Sequence, residues 1–249
     1  MSGHSKWSTI KRQKGLVDAK RGQLFTKVGR EISVAVRQGG ADQQTNFKLR
    51  LIIQKARDSN MPFENIDRAI KRASGGADGA ALAEVSYEGY GPGGSAILVQ
   101  VLTDNRNRTI AELRNILSRG GGNLGESGSV TWLFEPRGII IIDGTKENAE
   151  EVALFAIDVG AEDVKIDGTS LEVITKPQEL EAVRKALEQR KVPISSSELS
   201  MVPKTMVKLD EKSALQALKL LDKLEELDEV QHVYTNADFP DDVVGKYQG

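Results

Sequence analysis

The strongest constraint on the fold of this chain is a change in the period of its apolar residues near position 80. Before that point, apolar side chains return every three or four residues, as in the segment 49–56, which is typical of amphipathic helices. After it, short segments rich in Ile and Val, such as 96–102, alternate with helical patterns, which is typical of α+β domains. The small residues of segment 74–83 separate the two regions and predict a linker.

Residues 1–78 are predicted to form a basic domain of three helices. Glycine pairs at 39–40 and 75–76 end the first and third helices, because glycine tolerates the backbone conformation that closes a helix. Pro62 fits the first turn of the third helix, where its missing N–H is not needed. The second and third helices resemble a helix-turn-helix, although any small three-helix bundle has the same pattern.

From residue 95 onward, the predicted elements alternate between strands and helices. The central part, residues 136–203, reads as a complete βαββαβ unit. The flanking parts, residues 84–135 and 204–240, would form a second such unit when joined. The predicted strands of that outer unit are 96–102, 130–134, 205–209 and 230–234.

The predicted fold class is therefore α+β, with an N-terminal three-helix domain followed by two ferredoxin-like βαββαβ domains. One of these two domains, residues 136–203, is inserted into the other, which comprises residues 84–135 and 204–240. The nesting follows from element order alone, and a linear series of three domains is the alternative.

The net charge of −2 conceals a strong asymmetry between the two regions. Residues 1–76 contain 16 Lys and Arg against 6 Asp and Glu, a balance of +10, whereas the remainder contains 18 against 30, a balance of −12. A basic head on an acidic body is typical of a molecule that docks on a polyanion through one end.

The basic residues are densest near the N-terminus, where the aromatic residue Trp7 lies among them and Asp18 is the one acid before position 30. Clustered cations with an interleaved aromatic side chain match a polyphosphate that carries stackable bases. A solvated basic face is the alternative interpretation. The predicted nucleic-acid contacts in this stretch are Lys6, Trp7, Lys11, Arg12, Lys14, Lys20, Arg21, Lys27 and Arg30.

A second candidate site is the loop 103–109, which joins a predicted strand to a predicted helix. Cations at a helix N-terminus oppose the helix dipole, so Arg106 and Arg108 call for an anionic partner. A phosphate group would supply one, and we add both arginines to the predicted nucleic-acid contacts. Pairing with acids such as Glu88 or Glu126 is the alternative.

Several classes of site find no support in the sequence. Without cysteine, the chain has no disulfide or thiolate metal site. His4 and His232 lie far apart, and neither has a metal or triad motif around it. The glycine-rich segment 120–128 follows a helix and precedes a strand, which is the reverse of a phosphate-binding loop, and it is predicted to be a turn. We therefore expect no enzyme activity, no cofactor, no metal and no small-molecule substrate.

The sequence also predicts a cytoplasmic protein without membrane contact. The longest apolar run, residues 139–142, has the length of a strand and is far shorter than the roughly 18 residues of a membrane span. The basic N-terminus is not followed by the apolar stretch of a secretory signal.

Five segments together resemble the YebC/PmpR family, and the resemblance extends over the whole chain. They are Gly3-His4-Ser5-Lys6-Trp7, Asn60-Met61-Pro62, Tyr87-Glu88-Gly89-Tyr90-Gly91-Pro92-Gly93-Gly94, Thr103-Asp104-Asn105-Arg106-Asn107-Arg108-Thr109 and Gly121-Gly122-Asn123-Leu124-Gly125.

The resemblance implies a helical N-terminal domain with two α+β domains, and a non-catalytic regulator of gene expression in the bacterial cytoplasm. The usual label of the family is DNA-binding transcriptional regulator. Its mitochondrial relatives resemble translational activators of cytochrome oxidase, and some bacterial members are taken to act on stalled ribosomes. The expected partner is therefore DNA, or alternatively ribosomal or transfer RNA on the ribosome.

Overall fold

The computed structural model of the chain describes residues 18–75, 82–143, 149–167 and 170–247. Its N-terminal region contains three helices, which we call the head. Their bounds are α1 Asp18–Gly39, α2 Phe47–Asp58 and α3 Phe63–Ser74.

The head is held together by the apolar stripes that the sequence predicted. Val28 and Ile32 of α1, Leu49 and Ile53 of α2 and Ile66 of α3 are all buried in one cluster. Burial of such stripes supplies most of the stability of a short helix. The three predicted helices of the head are therefore present.

Asn46 fixes the turn between the first two helices of the head. Its side-chain oxygen accepts from the backbone N–H of Leu49 at 3.0 Å and so caps the start of α2. Its side-chain nitrogen donates to the carbonyls of Ala35 and Gly40, at 2.8 and 2.7 Å, near the end of α1. One buried residue therefore satisfies backbone groups of both helices.

The rest of the chain folds into two four-stranded sheets with helices. The elements are β1 Ala83–Tyr90, β2 Ala96–Thr103, α4 Arg106–Arg119, β3 Asn123–Leu124, β4 Phe134–Ile142, α5 Ala149–Asp158, β5 Asp163–Asp167, β6 Ser170–Thr175, α6 Leu180–Gln189, β7 Ile194–Pro203, β8 Val207–Lys208, α7 Glu211–Glu225, β9 Val230–Thr235, β10 Ala237–Asp238 and α8 Asp241–Lys246.

The second sheet along the chain has the strand order β5-β6-β4-β7, with every neighbouring pair antiparallel. This order, with α5 between β4 and β5 and α6 between β6 and β7, is that of a ferredoxin-like βαββαβ unit. Its core lies between the sheet and the two helices, where Ile140, Ile142, Leu171, Leu180 and Leu187 are buried.

The other sheet has the order β3-β1-β2-β9 and packs against α4 and α7. Its strands β1, β2 and β3 precede the βαββαβ unit in sequence, and its strand β9 follows that unit. The α+β fold class, with one unit inserted into the other, is therefore confirmed. The exact domain limits stay a proposal.

The outer sheet contains β3 within the glycine-rich segment 120–128, which was predicted to be a turn. It differs from the predicted element order in three further places. The strand β1 was not predicted, because its second half overlaps the segment 87–94, which is rich in glycine and was interpreted as a turn. The predicted strand 130–134 is instead a short 3₁₀ helix, Thr131–Leu133, followed by the start of β4. The predicted strand 205–209 contributes only β8, which pairs with β10 outside both sheets.

A buried carboxylate explains why the segment 130–134 does not form the predicted strand. Glu88 accepts from the backbone N–H groups of Gly128, Val130 and Thr131 at 2.6, 2.7 and 2.8 Å. Those N–H groups are therefore bound to a side chain and do not take part in a sheet ladder. Burial opposes ionisation of Glu88, but these hydrogen bonds outweigh it and lower its pKa.

Candidate nucleic-acid interface

An open groove with a volume of about 510 Å³ lies between α1 and α3 of the head. Among the described residues that line it, Asp104 is the one carboxylate. A cleft lined mostly by one sign of charge concentrates its field on an oppositely charged ligand. We call this feature the arginine groove, after its four arginines Arg30, Arg37, Arg68 and Arg72.

Helix geometry places the arginines of the groove on common faces. Arg68 and Arg72 are four residues apart on α3, so they occupy one face of the helix, while Ile66 and Ala73 turn into the core. Arg30 and Arg37 are seven residues apart on α1, which is close to two helical turns. The two basic faces meet because the apolar stripes of α1 and α3 pack together.

The outer side of α3 extends this basic surface beyond the groove. Phe63 is 70% exposed and lies in a shallow depression whose other residues are three basic ones and two acidic ones, namely Arg68, Lys71, Arg72, Glu64 and Asp67. An exposed aromatic ring beside cations can stack on a base while the cations contact phosphates. Lys71 also pairs with Asp67 at 2.7 Å on the same helix.

Sequence reasoning placed Arg68, Lys71 and Arg72 on the polar side of α3 but did not include them among the candidate contacts. The i, i+4 repeat of Arg68 and Arg72 was the available signal. The opposing face of α1, with Arg37, becomes visible only once the two helices are packed together.

The residues predicted from the sequence fall into two groups. Arg21, Lys27, Arg30, Arg106 and Arg108 have described side chains. The others lie outside the described residues or, for Lys20, in a part of α1 whose side chains are not described; they are Lys6, Trp7, Lys11, Arg12, Lys14 and Lys20.

Lys27 and Arg30 donate hydrogen bonds within the molecule. Lys27 is buried, and its Nζ donates to the carbonyl of Glu225 at 2.5 Å. Arg30 donates through Nη1 to the carbonyl of Asp228 at 2.7 Å, and Gln23 donates to the carbonyl of Glu226 at 2.5 Å. All three donors bind at or just beyond the C-terminus of α7, where free carbonyls and the helix dipole favour positive charge.

Arg21, by contrast, is exposed at the start of α1. The side chain of Arg21 is exposed to solvent, whereas the buried ammonium of Lys27 binds a carbonyl at the end of α7. Arg30 combines both situations, because it also lines the arginine groove.

Arg108 pairs with two acids, which are not the ones considered from the sequence. Its Nη2 donates to Asp104 at 2.7 Å and to Glu229. These hydrogen bonds, the one to Glu229 first, raise the pKa of Arg108. Arg106, two residues earlier, is also exposed, and its carbonyl accepts from the Tyr87 hydroxyl at 3.3 Å.

A buried ion cluster joins the head to the outer sheet. Glu31 of α1 lies 2.9 Å from the Nζ of Lys55 on α2 and 3.5 Å from the Nε2 of His232 on β9. Burial opposes ionisation of Glu31, but the charge of Lys55 and the hydrogen bond with His232 hold its pKa well below the ordinary value.

Two further kinds of site are absent from the described residues. No group of three or more His, Asp and Glu side chains in that part of the chain is arranged to hold a metal ion. None of the helices in the described ranges is long and apolar enough to cross a membrane.

Comparison with known proteins gives matches over almost the whole chain. The family model described as TACO1/YebC protein N-terminal domain matches residues 5–76. The model described as TACO1/YebC second and third domain matches residues 82–237.

Three similar curated proteins come from bacteria, and each carries the name "Probable transcriptional regulatory protein". One from Dehalococcoides mccartyi is 55% identical over 247 residues, which is 99% of this chain and 98% of the relative. One from Chloroflexus aurantiacus is 52% identical and covers 99% of both chains. One from Moorella thermoacetica is 54% identical and covers 96% of both.

A solved structure shares the fold. The crystal structure of a conserved hypothetical protein from Aquifex aeolicus matches with a TM-score of 0.83 and 46% sequence identity. The match covers 90% of this chain and 93% of that one.

Proposed function

This chain belongs to the TACO1/YebC family, and we propose that it regulates gene expression by binding the phosphate backbone of DNA through its helical head, without catalysing a reaction. The names of its bacterial relatives support the role in gene expression. The arginine groove is the observation that supports nucleic-acid binding.

The groove suits a phosphate backbone better than a small anion. Its guanidinium groups come from two helices and are spread along an open surface, and Phe63 borders the same surface. Arginines spaced in this way can contact successive phosphates, and each contact releases counterions from the nucleic acid. Such contacts fix the position of the protein but do not read the sequence.

The test measures affinity for a short DNA duplex and for a structured RNA over salt concentrations of about 50 to 200 mM. For a double variant, Arg68→Ala with Arg72→Ala, we expect weaker binding and a plot of log K against log salt that is flatter by roughly 0.9 per residue removed. Arg57→Ala is the matched control, because Arg57 is exposed in the same domain but lies outside the groove. Unchanged affinity and slope in the double variant would contradict the proposal.

The same experiment separates DNA from RNA as the target. A transcriptional regulator should bind one promoter site at least about 10³ times more tightly than random DNA. The alternative target is the ribosome. It would be supported by weak, sequence-independent binding to DNA, by tighter binding to structured RNA and by co-sedimentation with ribosomes at moderate salt.

The absence of catalysis has its own test. We expect nuclease, phosphatase and nucleotidase assays, with and without Mg²⁺ or Mn²⁺, to give background rates. Metal-dependent turnover that disappears when one Asp or Glu is changed would show that the protein is an enzyme.

A further inference from the structure

Two exposed aromatic side chains meet beside the outer sheet. Trp132, in the 3₁₀ helix that precedes β4, is 64% exposed, and Tyr90 at the end of β1 is 36% exposed. The indole Nε1 of Trp132 donates to the carbonyl of Ser129 at 3.0 Å, and the hydroxyl of Tyr90 donates to the same carbonyl at 3.2 Å. The polar edges of the two rings therefore meet at one atom, and we call Trp132 and Tyr90 the aromatic pair.

The backbone that carries Trp132 is held in place on both sides. Before it, Glu88 binds three backbone N–H groups. After it, the backbone N–H of Lys204 donates to the carbonyl of Leu133 at 2.8 Å, and the Nζ of Lys204 donates to the carbonyl of Trp132 at 3.0 Å. A side chain on a fixed support loses little conformational entropy when it binds a ligand, so the exposed indole is preorganised for contact.

The ring faces are what the aromatic pair offers to a ligand. Tryptophan is highly buried on average, and exposed Trp and Tyr side chains are enriched where proteins contact other molecules. The N–H and O–H donors of this pair are already bound to Ser129, so a ligand that needs donors gains little from them. A planar ligand that stacks on a ring face needs no such donor.

An ammonium group beside the pair indicates which charge the ligand carries. Lys204 is exposed, and the carbonyl of Trp132 takes one of the three N–H donors of its Nζ. The remaining donors can bind a phosphate oxygen. Glu126 is the acid of the glycine-rich segment 120–128 and is also exposed, so we place the anion on the side of Lys204.

We propose that the aromatic pair is a second nucleic-acid contact, in which an unpaired base stacks on the pair while a neighbouring phosphate binds Lys204. This contact rests on the proposed binding of nucleic acid by the head and deepens it. The arginine groove contacts phosphates of any strand, whereas the pair requires a base that is not stacked inside a duplex. The protein therefore prefers nucleic acid with an unpaired segment to a uniform duplex.

A proline-rich peptide is the other kind of ligand that docks against aromatic side chains. The carbonyls of such a peptide have no internal partners and need donors, but Ser129 occupies both donors of the pair. The peptide also offers no phosphate to Lys204. The pair therefore fits a base better than a proline-rich peptide.

The test follows the fluorescence of Trp132 in the full chain. The chain has two tryptophans, so Trp7→Phe leaves Trp132 as the one source of the signal and keeps an aromatic ring at position 7. Oligothymidylate or oligouridylate of about 12 nucleotides should quench this fluorescence to saturation, because the bases stack on the indole. An abasic strand of equal length has the phosphates without the bases and should not quench it, and neither should a fully paired duplex.

Variants of the pair measure its share of the affinity. Trp132→Ala should weaken single-strand binding roughly fivefold to a hundredfold, far more than duplex binding, without changing the salt slope. Trp132→Phe keeps a ring and should retain most of the affinity. Leu154→Ala is the matched control, because Leu154 is 67% exposed but lies on α5 of the inserted unit. Equal single-strand affinity of folded Trp132→Ala and Leu154→Ala would overturn the proposal.

The outcomes separate this contact from the proposed function. If the double variant of Arg68 and Arg72 keeps its duplex affinity while single strands still quench Trp132, the groove fails as a site and the aromatic pair stands. If the double variant binds more weakly but no single strand quenches Trp132, the aromatic pair is not a contact. A response of Trp132 to an oligoproline peptide and to none of the oligonucleotides would also overturn the proposal, since it would assign the pair to a peptide.

Discussion

Helix α1 carries charged residues on two sides, and the two sides differ in what their charges contact. On the side toward the rest of the chain, Lys27 binds a carbonyl at the end of α7, and Glu31 lies in the buried cluster with Lys55 and His232. On the other side, the exposed Arg37 lines the arginine groove.

These internal contacts of α1 change how the charge asymmetry between the head and the rest of the chain is interpreted. Part of the basic excess of the head contacts the acidic remainder of the same chain. Lys48 pairs with Glu84 at 2.9 Å, and Arg50 of α2 pairs with Glu181 of α6 at 3.0 Å. A count of charges therefore overstates how much of the basic excess of the head can act on an external polyanion.

Breaking the buried cluster should have the largest effect. Glu31→Gln removes a carboxylate that is almost fully buried and leaves the Lys55 ammonium without its partner. Loss of one member of a buried ion pair costs about 3–5 kcal/mol of unfolding free energy. Urea unfolding followed by circular dichroism measures the loss.

The matched control for that change is Asp67→Asn, which breaks the exposed pair with Lys71 on α3. Exposed pairs contribute at most about 1 kcal/mol, so this variant should unfold almost like the unchanged chain. Equal losses in Glu31→Gln and Asp67→Asn would show that the buried cluster has no special role in holding the head.

The parts of the fold that were predicted correctly depend on local patterns. The stripe of α2, with Leu49 and Ile53, and the βαββαβ order of the inserted unit can each be read from neighbouring residues. Their helices and strands follow from periodicity because each element buries one continuous face.

The parts that were missed depend on contacts between distant residues. Glu88 holds the backbone N–H of Val130 at 2.7 Å, so a segment with strand-like composition forms a turn and a 3₁₀ helix. Lys27 meets the carbonyl of Glu225, which is 198 residues away in sequence. No local window contains both partners, and for the same reason the groove between α1 and α3 could not be predicted.

Acid should reproduce part of the effect of Glu31→Gln. The pKa of Glu31 is lowered in the folded chain from an ordinary value of 4.5, so its contribution to stability is fully present above that value. It is lost as pH falls from there toward the folded pKa. The effect at mildly acidic pH is smaller than that of the substitution, because the carboxyl is still mostly ionised in the folded state.

Unfolding free energies of the unchanged chain and of Glu31→Gln, measured from neutral pH downward, test this. The difference between the two unfolding free energies should narrow as the pH falls below about 4.5. Other carboxyls titrate in both proteins and cancel in the difference. A gap that stays the same width in acid would contradict the role assigned to Glu31.

The N-terminal basic run should act like the groove side of α1 and not like its buried side. Changing Lys11, Arg12 and Lys14 together to Ala should flatten the salt dependence of duplex binding by about 0.9 per residue that contacts a phosphate. The unfolding free energy should stay within about 0.5 kcal/mol of the unchanged chain, as is usual for surface changes. A loss of unfolding free energy without any change in salt slope would show that these three residues make contacts within the protein and do not contact the nucleic acid.

The smallest effect concerns the two arginines at the start of α4, which repeat the same contrast within one helical turn. Arg108 is engaged by Asp104 and Glu229, whereas Arg106 is exposed beside it. Arg106→Ala should flatten the salt slope by at most about 0.9, corresponding to one phosphate contact. Arg108→Ala should leave the slope unchanged, because its guanidinium is already neutralised by two carboxylates. If Arg108→Ala proved the more harmful to binding, the carboxylates would be positioning that guanidinium for the ligand, and the distinction between internal and available charges would fail at this helix.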